Sequence, residues 1–233
     1  MSIRFRTPAL FAAAALLALI IENPSGRPGT ALAGEPPAEW DGLVRTKHKQ
    51  LDNFYVLPGA NLSGYKRIRL DPAEVSFAKN WKPNDMQRNP SARLNDEDIE
   101  RIRSGVASEF EKVFREELTK AGYMLSGEDG EDVLRATPMI INLYINAPDK
   151  MTPGRSTTYV SNPGQLTLVL ALSDSVSGQH LVRAVDTHRG RDSGQFQVSS
   201  SVFNLATARD AFDKWAQIMI SGLKEANTRA STG

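Results

Sequence analysis

The stretch NDEDIERIRSGVASEFEKVFREEL, residues 95–118, carries the clearest structural signal in the chain, because its apolar residues recur at steps of three and four. This is the period of one face of an α-helix. The apolar positions are Ile99, Ile102, Val106, Phe110, Val113, Phe114 and Leu118. Asn95 and Asp98 stand three residues apart, as in a capping box, so the sequence predicts a helix that begins after Asn95 and ends near Gly122.

Segments with the period of a β-strand lie on both sides of this helix. Residues 65–79 alternate before it, and residues 141–147 alternate between apolar and polar side chains after it. Residues 166–172 and 181–185 form two further apolar segments, separated by the turn-forming residues 174–179. This last arrangement predicts a hairpin of two antiparallel strands.

A second helical stripe lies near the carboxyl terminus. Its positions are Leu205, Ala208, Phe212, Trp215, Met219, Gly222 and Leu223. The element order is therefore β-α-β-β-β-α. We expect an α+β fold, with an antiparallel or mixed sheet of four to five strands and both helices packed on one face.

Composition divides the chain into four segments. Residues 1–33 read as a signal peptide. Residues 34–64 have proline- and glycine-containing ends and predict an N-terminal arm with a short strand at residues 54–57. Residues 65–226 hold the strand and helix patterns of a single α+β domain, and residues 227–233 predict a disordered tail.

The first 33 residues have the layout of an export signal. Two arginines precede a 13-residue apolar run, residues 9–21, and a small-x-small cleavage site ends at Ala33. The run is shorter than the ~20 apolar residues that span a bilayer. We therefore expect cleavage between Ala33 and Gly34 and a soluble periplasmic product. Because twelve residues separate the run from this cleavage site, retention as an uncleaved membrane anchor is the alternative.

Charge and cysteine content exclude several classes of function. Without residues 1–33 the chain carries 25 basic and 26 acidic side chains, a net charge of −1. It lacks the basic patch that drives affinity for nucleic acid. The absence of cysteine excludes disulfides, thiol nucleophiles, thiolate zinc sites and a lipid on an N-terminal cysteine. We expect no metal site and no cofactor.

Asp186 and His188 are the candidate catalytic residues. The common enzyme motifs are missing from the sequence. These two residues would share one face of a strand, where a carboxylate could orient an imidazole for base catalysis. Since no third partner is evident, the pattern favours a solvent-facing pair.

Arginines near this pair suggest a binding site for a small anion. Arg183, Arg189 and Arg191 surround Asp186 and Asp192 in sequence, and two guanidinium groups could hold one anion. Ordinary surface ion pairs explain the same pattern.

Arg155, Trp40 and Trp81 are the other candidate binding residues. Arg155 lies in a long loop between two strands, where it could bind a ligand or fasten the loop. The two tryptophans lie in the arm and in a loop, where aromatic rings form partner interfaces or pack the segment onto the body.

Several short motifs together carry a resemblance to a known family. They are Leu57-Pro58-Gly59-Ala60, Ser63-Gly64-Tyr65, Leu70-Asp71-Pro72-x-Glu74-Val75, Phe77-x-Lys79-x-Trp81, Ala147-Pro148-Asp149, Gly154-Arg155-Ser156, Asp174-Ser175 and Arg183-Ala184-Val185-Asp186. The chain resembles the exported bacterial proteins grouped as domain of unknown function thirty-three thirteen. The resemblance implies a Gram-negative envelope protein, often a lipoprotein, although this chain has no cysteine to carry the lipid. It supplies no catalytic residues.

The sequence therefore favours a non-enzymatic accessory or binding protein of the periplasm or cell envelope, with an envelope protein as partner. A hydrolytic or small-anion-handling enzyme that uses Asp186 and His188 is the alternative. A membrane-anchored interaction protein is a third, if the signal is not cleaved.

Overall fold

The computed structural model describes residues 36–85, 90, 93–145, 158–160, 164–190, 197–199 and 201–231. The predicted signal peptide, its cleavage site at Ala33 and Gly34, and Arg155 lie outside the described residues. The export of the chain and the role of Arg155 therefore stay predictions.

The described residues form short strands before the first helix and long strands after it. The strands are β1 Glu39–Trp40, β2 Leu43–Thr46, β3 Asn53–Val56, β4 Arg67–Leu70, β5 Glu74–Phe77, β6 Met124–Leu125, β7 Val133–Ile145, β8 Thr158–Val160, β9 Gly164–Asp174, β10 His180–Arg189 and β11 Gln197–Ser199. The helices are α1 Asp96–Lys120 and α2 Ser201–Ser231.

Nine of the described strands form one mixed sheet. Its order is β1-β2-β3-β10-β9-β7-β4-β6, and β5 also pairs with β7. The pairs β4–β6, β4–β7 and β5–β7 are parallel, and the other pairs are antiparallel. β8 and β11 form a separate two-stranded ribbon. The α+β class is as predicted.

The predicted number of four to five strands is too small. Residues 34–64, the predicted N-terminal arm, contain β1, β2 and β3. Of these, only β3 corresponds to a strand predicted from the sequence, at residues 54–57. β1 and β2 are two and four residues long and mostly exposed. Elements this short show too few alternating positions for the period of a strand to be recognised.

The predicted capping box of α1 is present. The Asn95 side chain accepts a hydrogen bond from the Asp98 backbone N–H at 2.8 Å, and the Asp98 carboxylate accepts one from the Asn95 backbone N–H at 3.1 Å. α2 continues to Ser231, through most of the segment expected to be a disordered tail, residues 227–233. No proline or glycine interrupts it after Gly222.

Both helices pack on one face of the sheet. Phe110 of α1 stacks on Phe114 at a ring distance of 4.1 Å and meets Phe212 of α2 edge-on at 5.3 Å. Alternate side chains of β9, including Leu168 and Leu170, join the same buried cluster. Each large apolar side chain buried in this way stabilises the fold by ~1.5 to 3 kcal/mol.

Candidate functional site

A cavity of about 100 Å³ lies between α2 and the helix-facing side of β9 and β10. We call it the apolar pocket. Its floor includes the buried side chains of Leu168, Leu170, Leu172, Val182, Trp215 and Met219. Its rim includes the more exposed residues His48, Leu51, Phe54, Leu62, Ile218 and Gly222.

Two small residues leave this space open. Ala184 of β10 presents only a methyl group to the pocket, and Gly222 of α2 presents no side chain. A Cβ atom placed on Gly222 would meet no atom within 4 Å. Glycine in a helix interior costs roughly 1 kcal/mol relative to alanine. Gly222 therefore leaves the space beside α2 open and lowers the stability of the helix.

The lining of the apolar pocket offers few polar groups. The Trp215 Nε1–H is already donated to Asp186 at 2.7 Å. His48 is the one side chain with an ionisable group among the pocket residues. Its Nδ1 accepts a hydrogen bond from the Gln50 backbone N–H at 3.2 Å, so a neutral ring carries its proton on Nε2. The pocket can thus hold a hydrocarbon group, with one donor at its rim.

Asp186 is a buried anchor for α2. The carboxylate is 5% exposed and accepts hydrogen bonds from Trp215 Nε1 at 2.7 Å and Lys214 Nζ at 3.0 Å. Its other oxygen accepts the Asp52 backbone N–H at 3.2 Å. In return, Asp52 accepts the Thr187 backbone N–H at 2.9 Å. Asp186 therefore holds the tryptophan that forms part of the pocket floor, and its oxygens are occupied by structural donors.

The other candidates on β10 do not gather around Asp186. Side chains alternate along a strand, so Asp186 and His188 share one face, as expected, while Arg183 and Arg189 lie on the other. His188 is partly buried, Arg189 is exposed, and Arg191 and Asp192 lie outside the described residues. The strand thus places Arg183 and Arg189 on the opposite side of the sheet from the Asp186 carboxylate.

Arg183 belongs to a cluster on the sheet face away from the helices. Its guanidinium lies 4.2 Å from the centre of the Trp40 ring and donates to Asp41 at 2.7 Å. Trp40 also meets the buried ring of Tyr55 edge-on at 5.7 Å. Burial, and then the Arg183 charge, lower the pKa of nearby His180. Trp40 and Arg183 therefore pack against each other, and their contacts hold β1 on the sheet.

Trp81 is also held by the body of the protein. Its ring stacks on Phe77 at 4.0 Å, with an angle of 7° between the planes. Its Nε1–H donates to the Ile145 carbonyl at 3.0 Å. These contacts pack the Trp81 side chain against the body of the protein.

Within the described ranges, no group of three or more histidine, aspartate or glutamate side chains is placed to hold a metal ion. Within the same ranges, no helix is long and apolar enough to cross a membrane.

The apolar pocket is not predicted by any motif in the sequence. The pocket residues of α2, β9 and β10 follow helix and strand periods, which predict a packed core rather than a cavity. The one signal in the sequence is Gly222, a glycine among mostly large apolar residues of the stripe, where a packed core would favour a larger side chain. No pattern in the sequence predicts that residues 48–62 lie beside the apolar stripe of α2.

The family predicted from short motifs is confirmed. The profile of the family described as Protein of unknown function (DUF3313) matches residues 36–219. The chain belongs to this family. No curated protein matches the chain.

Several solved structures of bacterial proteins are similar to this chain. A protein of the family DUF330 from Xanthomonas campestris is 12% identical over 81% of this chain and 97% of that one, with a TM-score of 0.39. A minor lipoprotein from Acinetobacter baumannii is 12% identical over 71% and 95%, with a TM-score of 0.32. The PelC dodecamer from Paraburkholderia phytofirmans is 13% identical over 66% and 90%, with a TM-score of 0.30.

Proposed function

We propose that this protein is a non-enzymatic accessory protein of the bacterial cell envelope that binds a small apolar ligand. The observation that carries the proposal is the apolar pocket, a cavity of about 100 Å³ with a floor of buried aliphatic and aromatic side chains. Ligand sites are typically concave and mostly apolar, with few polar groups. The export layout of residues 1–33 supports an envelope location.

The geometry favours binding over catalysis. The catalytic candidate with a carboxylate, Asp186, is 5% exposed and accepts hydrogen bonds from Trp215, Lys214 and Asp52. A general base must reach the proton of a substrate, whereas these contacts direct the carboxylate toward the protein's own donors. As an accessory protein, it would also bind a protein partner in the cell envelope. Cross-linking in intact cells would identify that partner.

The test of ligand binding is to express the complete gene in its own host, purify the protein and extract it with organic solvent. We expect mass spectrometry to detect an apolar compound at a constant ratio to the protein. In Ala184→Leu, the added side chain occupies the pocket, and the compound should be lost. Val176→Ser is the control, because Val176 is 64% exposed in the β9–β10 turn and outside the pocket. Equal recovery from all three proteins, or none from the wild type, would refute the proposal.

A further inference from the structure

The rim of the apolar pocket has an opening on α2 at Gly222. This residue lines the pocket and is itself exposed, and the space where its side chain would stand is empty of atoms within 4 Å. Its neighbour Leu223 is buried, as is Met219 one turn earlier. At this point of the rim the pocket is therefore bordered by the backbone of α2, with no side chain over it.

The size of the pocket selects among apolar ligands. Its volume of about 100 Å³ is below the ~150 Å³ of an engineered apolar cavity that accommodates benzene. A methylene chain is narrower than an aromatic ring or a fused ring system. The volume therefore suits the end of a flexible chain, with the remainder of the ligand outside.

The polarity of the pocket excludes a peptide backbone as occupant. Each buried amide of a peptide needs hydrogen-bond partners. Of the donors in the lining, Trp215 Nε1–H is committed to Asp186, and His48 lies at the rim rather than in the floor. An alkyl chain has no such requirement, and a polar group at its end would remain near His48.

We infer that the apolar pocket binds the terminal segment of a single unbranched alkyl chain, which enters past Gly222, while the oxygen-containing head of the ligand stays at the rim beside His48. This inference rests on the proposed function and narrows it to one class of ligand, the fatty acids and other single-chain amphiphiles.

The experiment is a calorimetric titration of the protein with straight-chain carboxylates from hexanoate to decanoate. We expect the affinity to rise by about fourfold per methylene group until the tail fills the pocket and to level off for longer chains. Adamantane carboxylate, which has the same head on a bulky ring cage, should bind at least tenfold more weakly than decanoate. Equal affinity for the cage and the chain would overturn the inference.

The entrance is tested with matched glycine variants. Gly222→Leu places a side chain in the opening, and we expect it to weaken decanoate binding at least tenfold. Gly105→Leu is the control, because Gly105 lies within α1 and outside the pocket, and a Cβ atom there would also meet no atom within 4 Å. Equal decanoate affinities for the two variants would contradict an entrance at Gly222.

The two proposals fail in different ways. If an apolar compound copurifies with the wild type and not with Ala184→Leu, but decanoate neither binds nor displaces it, the alkyl-chain inference is wrong while apolar binding stands. Displacement of that compound by an apolar peptide alone would identify a protein partner and likewise overturn the inference. If neither a copurifying compound nor decanoate binds, both proposals fail.

Discussion

At the scale of single residues, Asp186 shows how a side chain that resembles a catalytic group can serve the fold. The sequence pairs it with His188, and both lie on the same face of β10. In the folded protein, however, the carboxylate joins α2 to the segment before β3 through Lys214, Trp215 and Asp52. A strand pattern defines which face a residue occupies, but it does not identify the donors that approach from distant segments.

Asp186→Ala should lower the free energy of unfolding by about 1 to 3 kcal/mol, because the buried Trp215 N–H loses its acceptor. Asp186→Asn retains an acceptor oxygen and should lose less. Arg189→Ala is the control on the same strand, because Arg189 is exposed. Urea unfolding followed by tryptophan fluorescence measures the differences. A loss for Asp186→Ala no greater than that of Arg189→Ala would contradict the anchor role.

Gly164 is a second residue whose importance comes from distant contacts. Its φ is +132°, and a Cβ there would lie 2.1 Å from the carbonyl oxygen of Tyr144. Gly164→Ala should cost more than about 2 kcal/mol of unfolding free energy, because the backbones of β7 and β9 must separate. Gly178→Ala, with φ +71° and no nearby atoms, should cost about 1 kcal/mol from the backbone conformation alone. Chemical denaturation measures both losses. Equal losses of unfolding free energy for the two variants would show that the close approach of Gly164 to Tyr144 is unimportant.

At the scale of elements, the turn between β9 and β10 is tied to the segment that precedes β4. The Tyr65 hydroxyl donates to Asp174 Oδ2 at 2.9 Å, and Ser177 donates to Asp174 Oδ1 through its backbone and its hydroxyl, each at 2.7 Å. The hydrogen bonds from Ser177 are the main reason that the pKa of Asp174 lies below its usual value. The hairpin is therefore fixed at its tip as well as along its ladder.

Alkaline pH should weaken this connection. Burial, together with the hydrogen bond to Asp174 and its charge, raises the pKa of Tyr65 from 10.0 to about 12. The folded state holds this proton more tightly than the unfolded state. Its contribution to stability is therefore complete below about pH 10 and is lost as the pH rises through about 12.

Urea unfolding midpoints at about pH 8, 10 and 11 test this effect. Tyr65→Phe should be less stable at the lowest of these pH values, but its midpoint should fall less steeply with rising pH. Tyr123, whose pKa burial also raises, is present in both proteins and contributes equally to both slopes. Parallel slopes would show that Tyr65 does not titrate as proposed.

At the scale of the whole molecule, the sheet is assembled from distant parts of the chain. β3 pairs with β10, and β4 pairs in parallel with β7 on the far side of β9. This order places residues 48–62 beside α2 and closes one side of the apolar pocket. The proposed ligand site therefore depends on residues of the segment that the sequence predicts to be an arm.

Export is the prediction that concerns the complete chain. The protein recovered from an osmotic-shock fraction should begin at Gly34, because small residues flank the predicted cut and the preceding apolar run is too short to span a bilayer. Intact-mass measurement distinguishes this product from an uncleaved protein, which would remain with the membranes. Full-length protein in the cytosol that retains Met1 would contradict export.

Local patterns in the sequence were enough to predict the two helices, the capping box at Asn95 and the β9–β10 hairpin. Each depends on residues close together in the chain, whose helical or strand period can be read directly. The nine-stranded order, the separation of Arg183 from Asp186 and the apolar pocket emerge only in the folded chain. These features require pairing between distant strands, and neither the pairing partners nor the faces they bring together are encoded in any local period.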